Sequence, residues 1–327
     1  MKQRLCAGLL ASLITLLPGQ FATAQGAKSV AGVKVSKDFD LQGHRGARGL
    51  LPENTLAGFT RALKIGVTTL ELDLGITKDG VVVIHHDAYL NPNMTRNSNG
   101  EWVKDKSSLL GELDYTELAT FDVGEVNPAS SYAKRFPYQK SAGFQKIPRL
   151  SDLFELVTAS GNNNVRFNIE TKLAPGQNSK TVTPERFVSL MLDVIKAHKM
   201  QTRVAIQSFD WRTLQLVQKQ ASGIPTVYLT AQQRWLDNIG VGQAGTTGWT
   251  AGFDVDDHDG SVPELVKAAG GKVWSPYHRE LTEKLVSEAH VLGLKVIPWT
   301  VNNPKDVRKI IAMGVDGLIT DYPNLYE

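Results

Sequence analysis

From Asp40 onward, short runs rich in β-branched and aliphatic residues alternate with stretches whose apolar residues recur every three or four positions. The runs fall at Asp40–Arg45, Thr69–Ile76, Val165–Lys172, Arg203–Phe209, Ile224–Thr230, Lys272–Ser275, Lys295–Val301 and Asp316–Asp321. Their length and composition predict strands, and the stretches between them predict helices. Leu56, Phe59 and Leu63 form one apolar face that Gly66 closes. Thr282 opens a helix bearing Leu285, Val286, Ala289 and Leu292, with Gly293 at its end. Asn303 and Pro304 are a cap and first-turn pair ahead of Val307, Ile310 and Ile311, and Gly314 closes that helix. Eight such units over roughly 280 residues predict an α/β fold, a (β/α)8 barrel of the TIM type.

The alternation breaks once. From about Ala88 to Ile147 no barrel strand is legible, and the segment is rich in Asn, Ser and aromatic residues. A gap of that length after the second strand predicts a functional lid or a small inserted subdomain. Before the barrel, residues 25–38 read as a tether. Residues 1–24 read as an export signal: Lys2 and Arg4 precede an apolar run from Leu5 to Leu17, and Ala22-Thr23-Ala24 offers a cleavage site. Export to the periplasm or the exterior follows, with cleavage near Ala24. No later stretch is apolar enough to span a bilayer, so no transmembrane anchor is expected.

Charge narrows the classes of partner. The chain carries 36 Lys and Arg against 33 Asp and Glu. Removing Lys2 and Arg4 leaves 34 against 33 and a net charge of +1, too little for a nucleic-acid-binding surface. The single cysteine, Cys6, lies in the leader. Disulfides, a cysteine nucleophile and thiolate metal sites are therefore excluded downstream of it, and a metal would have to be held by carboxylates and imidazoles.

The candidate chemistry sits at strand ends. Glu71 and Asp73 share one face of their strand, as do Glu170 and Lys172. Barrel strands normally turn Val, Ile or Leu inward, so inward acids are costly unless paired or bound to a cation. One pair alone reads as readily as an exposed acid at a loop edge. Two pairs on separate strands point to a hard-oxygen site for one divalent cation, Ca2+ in first place and Mg2+ as the alternative. His44 ends the first strand and His86 follows the Val81–Ile84 run. Imidazoles titrate near neutrality and suit acid–base work, although a lone histidine at a strand end is more often structural. Arg45 offers the fork-shaped donor that suits phosphate, and Lys172 a second positive charge.

These residues also carry a resemblance. Gln42-Gly43-His44-Arg45-Gly46-Ala47, Pro52-Glu53-Asn54-Thr55, Glu71-Leu72-Asp73 and Val83-Ile84-His85-His86-Asp87 appear in order. Asn168-Ile169-Glu170-Thr171-Lys172, Ile206-Gln207-Ser208-Phe209, Trp299-Thr300-Val301-Asn302 and Gly314 through Pro323 follow them. As a set they resemble the signature of glycerophosphodiester phosphodiesterases over almost the whole chain. The resemblance implies hydrolysis of a small glycerophosphodiester to sn-glycerol 3-phosphate and an alcohol. It casts His44 and His86 as general acid and base, and Glu71, Asp73 and Glu170 as ligands of the divalent cation. Arg45 and Lys172 would hold the phosphate, and Trp299 would pack on the glycerol carbons. The doubled histidine leaves His85 pointing the other way, as a structural residue.

Two rivals share much of this pattern. A lysophospholipase D-like or phosphatidylinositol-type phosphodiesterase on the same barrel would need an apolar rim, and the insertion shows none. A non-catalytic phosphodiester-binding protein would not need the acid–base pair. Asp254, Asp256, Asp257 and Asp259 lack calcium-loop spacing and read as an acidic surface loop. Ser208 lacks a nucleophile-elbow context.

Overall fold

The fold is that of a computed structural model, which describes residues 29–176 and 180–326. The expected signal at residues 1–24 lies outside them. Eight parallel strands form the barrel: β1 (Asp40–Gly43), β2 (Thr69–Ile76), β3 (Arg166–Thr171), β4 (Val204–Ser208), β5 (Thr226–Thr230), β6 (Val273–Pro276), β7 (Lys295–Val296) and β8 (Gly317–Thr320). From β1 to β7 each pairs with its sequence neighbour, and β8 returns to pair with β1, which leaves a seam between β7 and β8. The β7 ladder is shorter than its apolar run predicts because Pro298 has no N–H to donate. Main-chain bonds still close the seam: Asp316 N–H reaches Val296 O, Ile319 N–H reaches Pro298 O, and Val301 N–H reaches Ile319 O.

Alternation along the strands decides what faces where. On β2, Leu70, Leu72 and Leu74 point outward into the core beneath the helices, which turns Glu71 and Asp73 to the barrel axis. On β3, Phe167 and Ile169 do the same and leave Asn168 and Glu170 inside. The outer ring comprises α1 (Leu56–Ile65), α2 (Leu150–Ala159), α3 (Pro184–Ala197), α4 (Trp211–Gln220), α5 (Val262–Ala268), α6 (Glu283–Val291) and α7 (Pro304–Ala312). The end signals expected at Gly66, Thr282 and Asn303 are used, and Thr55 adds a further cap. Thr55, Thr282 and Asn303 cap α1, α6 and α7 with their side chains, and Gly66 terminates α1 at φ 87°. Among the described residues no helix is long and apolar enough to cross a membrane.

Two segments depart from the sequence reading. Part of the expected tether forms a hairpin, Ser29–Val30 against Val33–Lys34, whose Val30 packs into the main core and whose Ala31 N–H bonds to Leu325 O. Its small and charged composition hid the apolar positions Val30 and Val35 that hold it down. Ahead of the insertion a short strand, Val82–Ile84, lies antiparallel to the far end of β2. Beyond it lie short helical turns and a core of their own, built from Val83, Leu90, Leu110, Leu118, Val123 and Ile147.

Candidate active site

At the C-terminal mouth of the barrel the expected residues converge on one cavity of about 510 Å³, lined by His44, Arg45, Glu71, His86, Glu170, Lys172 and Trp299 among others. Asp73 lies beneath it, fully buried. Oxygens of Glu71, Asp73 and Glu170 lie within 4.8 Å of one another. Burial, and then the charges of Asp73 and Glu170, push Glu71 well above the usual carboxylate range. Burial raises Glu170 to about 7, helped by Asp73 and opposed by Lys172, whose Nζ lies 2.8 Å from Glu170 Oε1. Asp73 is held low despite its burial, chiefly by Arg45, with Asn54 Nδ2 donating to its Oδ2 at 2.9 Å. Its Oδ1 is buried with no hydrogen-bond partner. Three buried acids packed this closely, one with an oxygen that accepts no hydrogen bond and has only Lys172 Nζ at 3.9 Å, match what a hard divalent cation requires of its ligands.

The loop after β1 is shaped to reach this cluster. Arg45 takes a left-handed backbone, φ 50°, between Gly43 and Gly46. A Cβ on Gly43 would stand 2.2 Å from Gly46 O, so the turn closes only with glycine there. The bend lets Arg45 N–H donate to Glu71 Oε2 at 2.8 Å while its side chain spans Asp73 (3.1 Å) and Glu53 (2.6 Å).

Each imidazole is held by a carboxylate. His44 Nδ1–H donates to Asp321 Oδ1 at 2.7 Å, which leaves Nε2 directed toward Glu71 Oε2, 3.9 Å away. Burial, and next the Arg48 guanidinium, lower His44 to about 4, so the ring is neutral at pH 7. His86 Nδ1–H donates to Asp87 Oδ1 at 2.9 Å, and burial together with Arg45 and Lys172 lowers its pKa too. A neutral ring with Nδ1–H engaged presents a basic Nε2. His85 turns away and donates to Tyr89 O at 3.1 Å, as expected of a structural residue.

Sequence reasoning missed several supporting groups. Asp321 directly follows β8 and also accepts from Arg48 Nε at 2.8 Å. Glu53 gathers Arg45, Arg48 and the hydroxyl of Tyr132, the last arriving from the insertion. Phe136 of the insertion lies 4.8 Å from the Arg48 guanidinium carbon. Asp321, Glu53 and Arg48 stand inside or beside the quoted motifs, which was the available signal; nothing local marks Tyr132. At the cavity an apolar rim lies on the loop after β5. Trp235, 59% exposed, lies edge-on to Tyr277 (5.5 Å) and to Trp299 (6.0 Å), and Phe209 meets Trp299 at 5.3 Å. The acidic loop at 254–259 is an exposed helical turn capped by Asp254, away from the cavity lining.

Carboxylate-held imidazoles beside a cluster of buried acids and fixed cations, on a (β/α)8 scaffold, are groups suited to the hydrolysis of phosphoric esters. Known proteins narrow this class. Residues 44–325 match the model of the glycerophosphoryl diester phosphodiesterase family. A glycerophosphodiester phosphodiesterase of Caldanaerobacter subterraneus is 30% identical over 287 residues, 86% of this chain and 93% of that one. A human lysophospholipase D is 24% identical over 292 residues, 86% of this chain and 82% of that one. Among solved structures, a protein of Silicibacter pomeroyi assigned as a glycerophosphoryl diester phosphodiesterase superposes with TM-score 0.78 at 36% identity, covering 88% and 91% of the two chains. An Oleispira antarctica phosphodiesterase in complex with the product sn-glycerol-3-phosphate superposes at 0.62 with 22% identity, covering 87% and 94%. The chain belongs to the glycerophosphoryl diester phosphodiesterase family. Its activity is that of a glycerophosphodiester phosphodiesterase.

The Glu53 hub gives a pH-dependent expectation. Burial opposes its ionisation, but Arg45 and Arg48 outweigh burial and lower its pKa to about 2 from an ordinary 4.5. A depressed carboxylate stabilises the fold above its unfolded pKa and loses that contribution as pH falls through the folded one. Glu53→Gln should therefore be less stable than wild type at pH 7, with the gap narrowing between pH 4.5 and about 2. Chemical denaturation across that range measures it.

Proposed function

We propose that the protein hydrolyses glycerophosphodiesters, the deacylated forms of phospholipids, to sn-glycerol 3-phosphate and an alcohol by histidine acid–base catalysis that depends on a divalent cation. The reading rests on the three buried carboxylates, one with an oxygen that accepts no hydrogen bond, lying beside two carboxylate-held imidazoles in one cavity. Glu71, Asp73 and Glu170 would hold the cation, Ca2+ in first place and Mg2+ as the alternative, which when bound neutralises phosphate charge and makes an oxygen nucleophile more acidic. Lys172 and the outward part of the Arg45 fork would bind phosphate oxygens. One neutral imidazole takes the nucleophile's proton through Nε2, and the other, once protonated, delivers a proton to the departing alkoxide. Asp321 and Asp87 hold the tautomer and ring orientation that this exchange needs. Trp299, fixed by its Nε1–H bond to Ser275 O at 2.9 Å, offers the glycerol carbons an apolar face.

A second reading is favoured by the Trp235 rim. That side of the cavity is apolar and partly exposed, the surface a lysolipid's acyl chain would need, and a relative bears the name lysophospholipase D. A lysophospholipase D-like activity on the same centre would use the same acid–base pair.

Stripping the protein with chelator should abolish release of glycerol 3-phosphate from glycerophosphocholine, and Ca2+ or Mg2+ should restore it and raise the melting temperature. Full turnover after exhaustive chelation would remove the cation from the mechanism.

His44→Ala and His86→Ala should each lower kcat by ~10²–10⁴-fold. Their folding should persist, because neither ring belongs to the apolar core. A variant keeping wild-type turnover would take that histidine out of the reaction.

The two substrate readings separate at the rim. If small glycerophosphodiesters are the substrates, Trp235→Ala should alter kcat/KM for glycerophosphocholine by less than about tenfold, the scale of a modest apolar contact. Turnover of lysophosphatidylcholine that exceeds glycerophosphocholine in the wild type and collapses in Trp235→Ala would establish the second reading instead.

A further inference from the structure

The barrel interior is divided. On one side Val227, Val273, Ile297 and Ile319 fill it with aliphatic side chains, the usual content of such barrels. On the other, Gln42 of β1, Asn168 of β3 and Gln207 of β4 point inward, each at most 3% exposed. Amides buried there cost free energy unless they are hydrogen-bonded. These three are joined in one row. Gln42 Nε2 donates to Asp40 Oδ2 (3.0 Å), and Asn168 Nδ2 donates to both Gln42 Oε1 and Gln207 Oε1 (2.8 Å each). Gln207 Nε2 donates to Glu71 Oε1 (2.6 Å).

The row's direction follows from its ends. At each end the amide turns its NH2 to a carboxyl oxygen, of Asp40 or of Glu71, and its carbonyl to the middle. Asn168 then meets two carbonyl oxygens, which only its NH2 can satisfy. Its own Oδ1 is left buried without a hydrogen-bond partner. Flipping Asn168 would set oxygen against oxygen on both sides, so the orphan is a consequence of the polarity. Such a cost in the centre of a barrel calls for a gain elsewhere, and the gain lies at Glu71. Arg45 N–H ties Glu71 Oε2 and Gln207 ties Oε1. With both oxygens held, the terminal torsion of a glutamate, otherwise broad, is fixed.

We propose that Gln207 is a positioning residue for Glu71, and that the row Gln42–Asn168–Gln207 fixes the direction in which Glu71 offers its carboxylate to the divalent cation. This rests on the reading of Glu71, Asp73 and Glu170 as the cation's ligands. Asn168 is not among the residues lining the active-site cavity, and its side-chain hydrogen bonds go to Gln42 and Gln207, so its bonded link to Glu71 runs through Gln207. Gln207→Met keeps length and removes the donor, whereas Asn168→Leu leaves Gln207 in place and removes what orients it.

The test is calorimetric titration of chelator-stripped protein with Ca2+, and in parallel with Mg2+, together with melting of the metal-free forms. Gln207→Met should bind the cation ~10–100-fold more weakly, the usual effect of losing a hydrogen bond that orients a metal ligand. Asn168→Leu should weaken it in the same direction, and the activity it loses at limiting cation should return as the cation is raised. If Gln207→Met does not fold, Asn168→Leu carries the test alone. Variants that melt earlier but bind the cation as wild type does would show a merely structural row and overturn the proposal. Wild-type protein that binds neither cation would overturn the ligand reading, and the proposal with it.

Discussion

Three carboxylates within 4.8 Å of one another inside a barrel are the constraint around which the mouth is organised. Like charges at that separation, taken out of water, repel strongly and lose hydration that must be replaced. The replacements are specific. Arg45 bridges Asp73 to Glu53, Lys172 sits on Glu170, and Asn54 holds Asp73. Glu71 receives a main-chain N–H and an amide. Even so, Glu71 and Glu170 are held above the ordinary carboxylate range by burial and by their acidic neighbours, which leaves the cluster short of positive charge.

The rest of the site is arranged at one remove from that deficit. The strained turn at Arg45 exists so that one residue serves Glu71 with its backbone and Asp73 with its side chain. Arg48, on the same loop, lies between Asp321 and Glu53 and so joins the His44 pair to the Arg45 hub. The insertion grips this loop from outside: Tyr132 bonds Glu53, Phe136 covers Arg48, and Gln139 Nε2 donates to Arg48 O. Through these contacts the insertion works as a buttress for the charged loop.

The cavity has two unlike walls. Charged groups and imidazoles line the side built from the ends of the first three strands. Phe209, Trp235, Tyr277 and Trp299 form a packed aromatic wall on the side of the fourth to seventh strands. Lys172 lies 5.9 Å from the Phe209 ring at the seam between them. A substrate that is ionic at its centre and apolar toward one end fits such a division.

Much of this is legible in the sequence alone. Inward acids on β2 and β3 follow from strict alternation with Leu70, Leu72, Leu74, Phe167 and Ile169, because a strand's period of two leaves no other face for Glu71, Asp73 and Glu170. The barrel, its helix caps and the place of the insertion follow from patterns within a few residues of one another. What only the tertiary structure decided involves partners far apart in the chain. His44 bonds Asp321, 277 residues away, and Gln207 bonds Glu71, 136 residues away. Tyr132 reaches Glu53 across 79, and the apolar rim lies on the β5 loop, where its exposed Trp235 resembles any loop aromatic until Trp299 is seen beneath it. Local periodicity fixes which face a side chain takes; which group it meets there depends on closure of the barrel, which brings remote strand ends within hydrogen-bond reach.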